Sequence, residues 1–251
     1  MNLSKLIPLA YLTLATPLFS ATKFRYDNIT GVCKDHRDRL GYNRDLGECS
    51  DFSGQRIPET VERDFSGSLF SFSIFSPENQ YRFTIFQGVD MQSSIASEVV
   101  FESVNFERIL CSNADFASAT ISFSTFTNTK CSDANFEDAK LEGTRFSDSD
   151  MRYSVFIGVN ANRSDFSGVN LRDSLFEDAT VDFASFENAD LRGADMRVIS
   201  SRSTIWLGAK FDELTDLPFS IESAINDHGM IWRGEGQPIC DPDDLFCPIV
   251  D

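Results

Sequence analysis

From Phe86 to Phe211 every fifth residue is apolar, with the single exception of Ser201, through 26 consecutive steps. Neither regular element accepts this period. On a helix of 3.6 residues per turn, five residues rotate the side chain by about 140°, which scatters the apolar set around the axis. On a flat strand five is odd, so successive members fall on opposite faces. The chain must therefore turn a corner after every step. A short extended piece points one side chain inward, a bend follows, and the next piece does the same.

The residue two before each centre tests this, because positions two apart in an extended piece face the same way. Those 26 positions, Thr84 to Ala209, carry 19 Ala, Ser or Thr and seven Val or Ile, with none charged or aromatic. A narrow interior that seats one large and one small side chain per step specifies this pattern. The residue between them faces outward and is Asp or Asn ten times, as at Asp115, Asn135, Asp165 and Asp190.

Four steps close one coil. At a spacing of twenty, one column reads Phe86, Phe106, Phe126, Phe146, Phe166, Phe186, Trp206, and another Met91, Cys111, Cys131, Met151, Leu171, Leu191, Phe211. Like sits on like, the mark of a square coil stacking parallel ladders ~4.8 Å apart, and these steps span about 31 Å at that spacing. Backwards, Phe65, Phe70 and Phe75 keep the step, and one extra residue enters around Pro77 before Tyr81. A bulge at Pro77 and a loop over 55–63 are expected.

Units such as Ala134-Asn135-Phe136-Glu137-Asp138 and Ala189-Asp190-Leu191-Arg192-Gly193 carry a small residue, Asp or Asn, and then the apolar centre. They resemble the A(D/N)LXX consensus of the pentapeptide-repeat family, over roughly residues 50–211. The resemblance implies an all-β fold, a right-handed quadrilateral β-helix. Characterised members of that family include cytosolic proteins that imitate DNA and inhibit gyrase, while many others have no assigned activity. It therefore implies the fold and leaves function open.

The two ends read differently. Lys5, the apolar run Leu6 to Phe19 and the small pair Ser20-Ala21 have the form of a secretory signal peptide, so residues 1–21 are expected to be removed on export to the periplasm or medium. The run is too short for a membrane span. Residues 22–64 form an N-terminal cap and irregular first coil, 65–213 the β-helix, and 214–251 a C-terminal cap. An open β-helix exposes strand edges that caps must cover. The C-terminal cap holds a helix-like stretch from Ile221 to His228, with Ser220 as N-cap and Gly229 beyond it. In an exported protein, Cys33–Cys49 and Cys240–Cys247 are the natural disulfides, one per cap. Cys111 and Cys131 sit in one inward column with parallel Cβ vectors, a poor start for disulfide geometry, and are expected as buried free thiols.

Asp and Glu total 39 against 22 Lys and Arg, a net charge of −17. That surface repels nucleic acid and anionic lipid. Only His36 and His228 exist, one in each cap, so no His-based site can assemble within the rod. Nucleotide, hydrolase and redox motifs are absent from the sequence, and neither an enzyme nor a cofactor is indicated. Asp241, Asp243 and Asp244 make an acidic loop whose spacing is not that of an EF-hand, which favours an ordinary loop over a calcium site. The most unusual surface feature is Arg152, Arg172 and Arg192, twenty apart, which should stack as a basic column compensated by Asp150, Asp173 and Asp190. A non-enzymatic exported module that binds an unidentified protein partner is the leading reading, with this column as the contact. A DNA-mimicking topoisomerase inhibitor is the alternative, and a carbohydrate-active β-helix enzyme the third.

Overall fold

The computed structural model describes residues 52, 57, 64–77 and 79–234, with the backbone of 25–27, 32–34, 56 and 60–61. Its corners explain the period. At most of them, the N–H three residues after an inward centre donates to that centre's carbonyl, as from Val89 to Phe86 at 3.2 Å and from Ala114 to Cys111 at 3.0 Å. The third residue of the turn has positive φ, 65° at Gly88 and 59° at Asn113, which a type II turn requires. The outward Asp or Asn accepts the N–H two residues on: Asp115 Oδ1 from Ala117 at 3.0 Å, Asn135 Oδ1 from Glu137 at 3.0 Å, Asp165 Oδ1 from Ser167 at 2.9 Å. Short Asx side chains reach their own backbone in this way, so the consensus polar residue closes the corner it precedes.

Parallel bridges link residues twenty apart on all four sides, for example Asp90 to Leu110 to Lys130 to Asp150 to Asn170 to Asp190 to Lys210. The chain is thus an all-β, four-sided β-helix. Inside, Phe146, Phe166 and Phe186 lie face to face at 4.9 Å, and Trp206 closes that stack at 4.7 Å. A second stack, Phe116, Phe136, Phe156 and Phe176, runs beside it, and the two meet edge to face, as Phe146 meets Phe156 at 6.1 Å and 83°. Each buried ring contributes on the order of 2–3 kcal/mol. Most of the small inward hydroxyls are accommodated by donating to a backbone carbonyl, commonly of the coil before, as Ser154 to Cys131 at 2.9 Å and Ser164 to Leu141 at 2.7 Å, whereas the buried hydroxyls of Ser94 and Thr129 have no partner among the described residues.

The first coils depart from twenty. Asp64 pairs with Ile85 and Leu69 with Asp90, twenty-one apart, whereas Ile85 pairs with Asn105, twenty apart, so one extra residue enters around Pro77. The segment expected as a loop is not wholly one. Strands β3 (Arg56–Ile57) and β4 (Thr60–Val61) pair in parallel with β5 (Ile74–Phe75) and β6 (Gln80–Arg82), and β6 with β7 (Val100–Glu102). Before them, β1 (Arg25–Asp27) and β2 (Val32–Lys34) form an antiparallel hairpin.

Two further expectations change. At the step before Ser201 the chain inverts: Ile199, placed inward by the pattern, is 69% exposed, and Val198 packs on the core instead. Position 198 is where the corner's positive φ falls, and Val198 is the one β-branched residue at that position between Gly88 and Gly208, so the turn takes another path. Cys111 and Cys131 are joined as a disulfide rather than free. Coil stacking brings their Cα atoms to 4.4 Å, the short end of the disulfide range, so adjacent coils are close enough despite the parallel Cβ vectors.

At the C-terminal end, α1 (Ile221–Asn226) is two residues shorter than the pattern suggested. Ser220 caps it by accepting the Ser223 N–H at 3.1 Å, and Ala224 is fully buried. Strand β9 (Ile231–Trp232) pairs in parallel with β8 (Lys210–Phe211), and Trp232 meets Phe211 edge to face at 5.4 Å. Among the described residues no helix is long and apolar enough to cross a membrane.

Candidate functional site

Apart from the broken corner around Ile199, the inward positions of the coils are filled by packed side chains, so the outer faces are what the rod offers. Residues 152, 172 and 192 each follow an inward centre (Met151, Leu171, Leu191) and open a corner, which stands them in one column. Earlier in the same column, Ser112 and Ser132 bring their hydroxyls to 3.2 Å. Three cations stacked a coil apart repel, and the compensation comes from the ladder position two residues before each. Arg152 forks onto Asp150, Nε to Oδ1 at 2.8 Å and Nη2 to Oδ2 at 2.9 Å. Arg192 does the same with Asp190 at 2.8 and 2.7 Å. Arg172 has Asn170 at that position, stands exposed, and makes no ion pair among the described residues.

The electrostatics follow this geometry. Burial pushes the Asp190 carboxyl up, but the Arg192 hydrogen bonds and charge, with help from Arg172, hold it below its ordinary range. The hydrogen bonds to Asp150 and Asp190 raise Arg152 and Arg192 respectively. Of the three carboxylates expected to compensate the column, two do. Asp173 instead directs its side chain at Gly193 in the next coil, filling the space a Cβ there would take.

Two tighter clusters escaped the sequence reading. Asp182, only 6% exposed, accepts from Ser200 Oγ at 2.5 Å, the Arg202 N–H at 2.7 Å, and Arg202 Nε and Nη2 at 3.0 and 2.7 Å. Its pKa is held at about 2. Arg197 is held by Asp195 and reaches Glu177 at 3.4 Å. The signal was present: Arg202 lies twenty after Asp182, and Arg197 twenty after Glu177. These are surface staples between coils.

His228 stacks on Phe219 at 4.2 Å within the C-terminal cap. The side chains of Cys33, Cys49, Cys240 and Cys247, together with His36 and the loop at Asp241, Asp243 and Asp244, lie outside the described residues. Among the described residues no group of three or more His, Cys, Asp or Glu converges to hold a metal.

Comparison with known proteins bears on family. Residues 97–130 match the family model for pentapeptide repeats (8 copies), and residues 130–215 that for the pentapeptide repeat region. No curated protein matches. Similar solved structures include the pentapeptide repeat protein Rfr23 from the cyanobacterium Cyanothece 51142, 24% identical over 37% of this chain and 63% of that one, with a TM-score of 0.36. QnrB1, a plasmid-mediated fluoroquinolone resistance protein, is 13% identical over 73% of this chain and 89% of its own, with a TM-score of 0.43. HetL, a pentapeptide repeat protein involved in heterocyst differentiation regulation from Nostoc sp. strain PCC 7120, is 16% identical over 74% and 84%, with a TM-score of 0.35. This chain thus spans 63% of the length of Rfr23. With 26 steps in the sequence, ladders on four sides and two matching family models, residues 97–215 are pentapeptide repeats of that family, and the rod is its right-handed quadrilateral β-helix.

Proposed function

We propose that this chain is a non-enzymatic, exported interaction rod that presents a flat outer face to a protein partner, with Arg152, Arg172 and Arg192 at the contact. The observation that carries this reading is the one uncompensated arginine in the column. Arg172 stands exposed between two arginines whose forks are already closed by Asp150 and Asp190. An exposed guanidinium whose fork is open can take a partner carboxylate bidentately, and the rigid coils above and below fix its position. Export is supported by Lys5, the Leu6 to Phe19 run, Ser20-Ala21 and the six cysteines.

The test is a photo-crosslinking residue placed at Ser132, one coil before Arg152, in protein expressed from its full-length gene. A single major adduct from the envelope or medium, together with a mature N-terminus near Thr22, is expected. Adducts formed only with cytosolic proteins would overturn the reading. The acidic character of the rod also suits a topoisomerase inhibitor, and residues 22–251 added to a gyrase supercoiling assay separate the two. No inhibition is expected.

A further inference from the structure

A second surface lies on another corner of the rod. Phe83, Phe123 and Phe183 occupy the positive-φ position of one corner, with φ of 51°, 57° and 61°. They are 59%, 63% and 60% exposed. Bulky residues are uncommon in this backbone region, and most of the rod's other positive-φ positions are served by Gly, Asn, Asp and Ser, with Phe72 and Tyr153 the other aromatic ones among the described residues, so three aromatic rings in one column are a costly choice that packing does not require. Each ring is followed one coil later by a small residue: Ser103, Gly143 and Ser203. At Gly143 the consequence is visible, because a Cβ there would stand 2.9 Å from the Phe123 ring, so the missing side chain lets that ring lie against the next coil.

The charges beside the rings cancel. In the column that precedes them, Arg82 pairs with Glu102 at 3.0 Å and Arg202 with Asp182 at 2.7 Å, while Glu142 pairs with Arg163 of the ring column at 2.9 Å. On a chain of net charge −17 this strip is neutral. Around Phe123 lies an open depression of about 560 Å³, edged by Ser103, Asn105, Thr125 and Arg145. Its one carboxylate, Glu107, accepts from Gln87 at 2.8 Å and pairs with Arg108 at 3.3 Å.

We propose that this corner is a binding ridge for an uncharged, extended polysaccharide. Exposed rings stack on the C–H faces of sugar rings, and neutral hydroxyl and amide groups beside them exchange hydrogen bonds with sugar hydroxyls. Phe83 and Phe123 are two coils apart and Phe123 and Phe183 three, about 10 and 14 Å at the strand spacing. A linear ligand whose units advance by close to one coil rise meets all three rings. Charge selects this occupant over a second copy of the chain: two bodies of like charge repel, whereas a neutral polymer approaches without that cost. The ridge is independent of the arginine column, so either can fail alone.

The test is affinity electrophoresis of the full chain in gels cast with soluble neutral polysaccharides (a β-glucan, a galactomannan, an arabinoxylan, dextran), with polygalacturonate as the charged comparison. Retardation by at least one neutral polymer, unchanged by salt, is expected. Phe123→Asn, which keeps a residue suited to the turn, should weaken it roughly tenfold. The triple change with Phe83→Asn and Phe183→Asn should abolish it, with melting preserved. No retardation by any neutral polymer, or retardation that the triple variant retains, would overturn the proposal. So would self-association of wild type that the triple variant loses, which would make the ridge a contact between copies.

Discussion

The Asp182 carboxylate takes both forks of the Arg202 guanidinium, one coil further on, at 3.0 and 2.7 Å. The Ser200 hydroxyl is the largest influence holding Asp182 at about 2 against an ordinary 3.8, and Arg202 is the next. A depressed carboxylate stabilises the fold above its unfolded pKa, and that contribution fades as pH falls through the folded value. Arg202→Ala should therefore lower the melting temperature at pH 7, and the gap to wild type should close between about pH 4 and pH 2. Melting curves against pH check this, and a gap as wide at pH 1.5 as at pH 7 would contradict it.

The phenylalanine stacks should hold the coils together. Phe146, fully buried, lies between Phe126 at 5.3 Å and Phe166 at 4.9 Å. Phe146→Ala should cost about 3–5 kcal/mol by denaturant unfolding. Ala134 is fully buried at a small inward position, and Ala134→Phe should cost about 1–3 kcal/mol or more through overpacking.

The corners set a separate rule. Ser118 sits at φ 56°. Ser118→Val puts a β-branched residue where Val198 already breaks the turn, and a loss of about 1–2 kcal/mol is expected. Ser118→Asn should be neutral. Equal stabilities for the two variants would mean that the corner does not demand positive φ.

Non-reducing peptide mapping of the mature protein should return a Cys111–Cys131 peptide, because stacked coils bring these residues together. The same map is expected to contain Cys33–Cys49 and Cys240–Cys247. A bond between the two caps would contradict that pairing.

Much of the fold was legible in the sequence because one period governs it: centre, small residue and outward polar residue recur in phase, and their contacts are set by a spacing of twenty. What escaped was what the period does not encode. Val198 breaks the corner through its own φ preference, although the apolar pattern runs on through Ile199. The disulfide turned on the 4.4 Å Cα separation of stacked coils, a distance that the five-residue period does not encode. In the arginine column the alignment was visible, but not that Asp173 turns away toward Gly193 and leaves Arg172 open. The aromatic corner stayed hidden because Phe83, Phe123 and Phe183 are few among 24 phenylalanines, most of which point inward.

The arginine column bears most directly on what the rod does. Arg172→Ser should weaken binding of the crosslinked partner roughly tenfold, the scale of one charge-assisted contact, with melting unchanged. Arg152→Ser, which removes an arginine already held by Asp150, should weaken it less. Titration of the purified partner against wild type and both variants decides the matter. Full affinity in the Arg172→Ser protein would contradict the assignment and move the contact to another face.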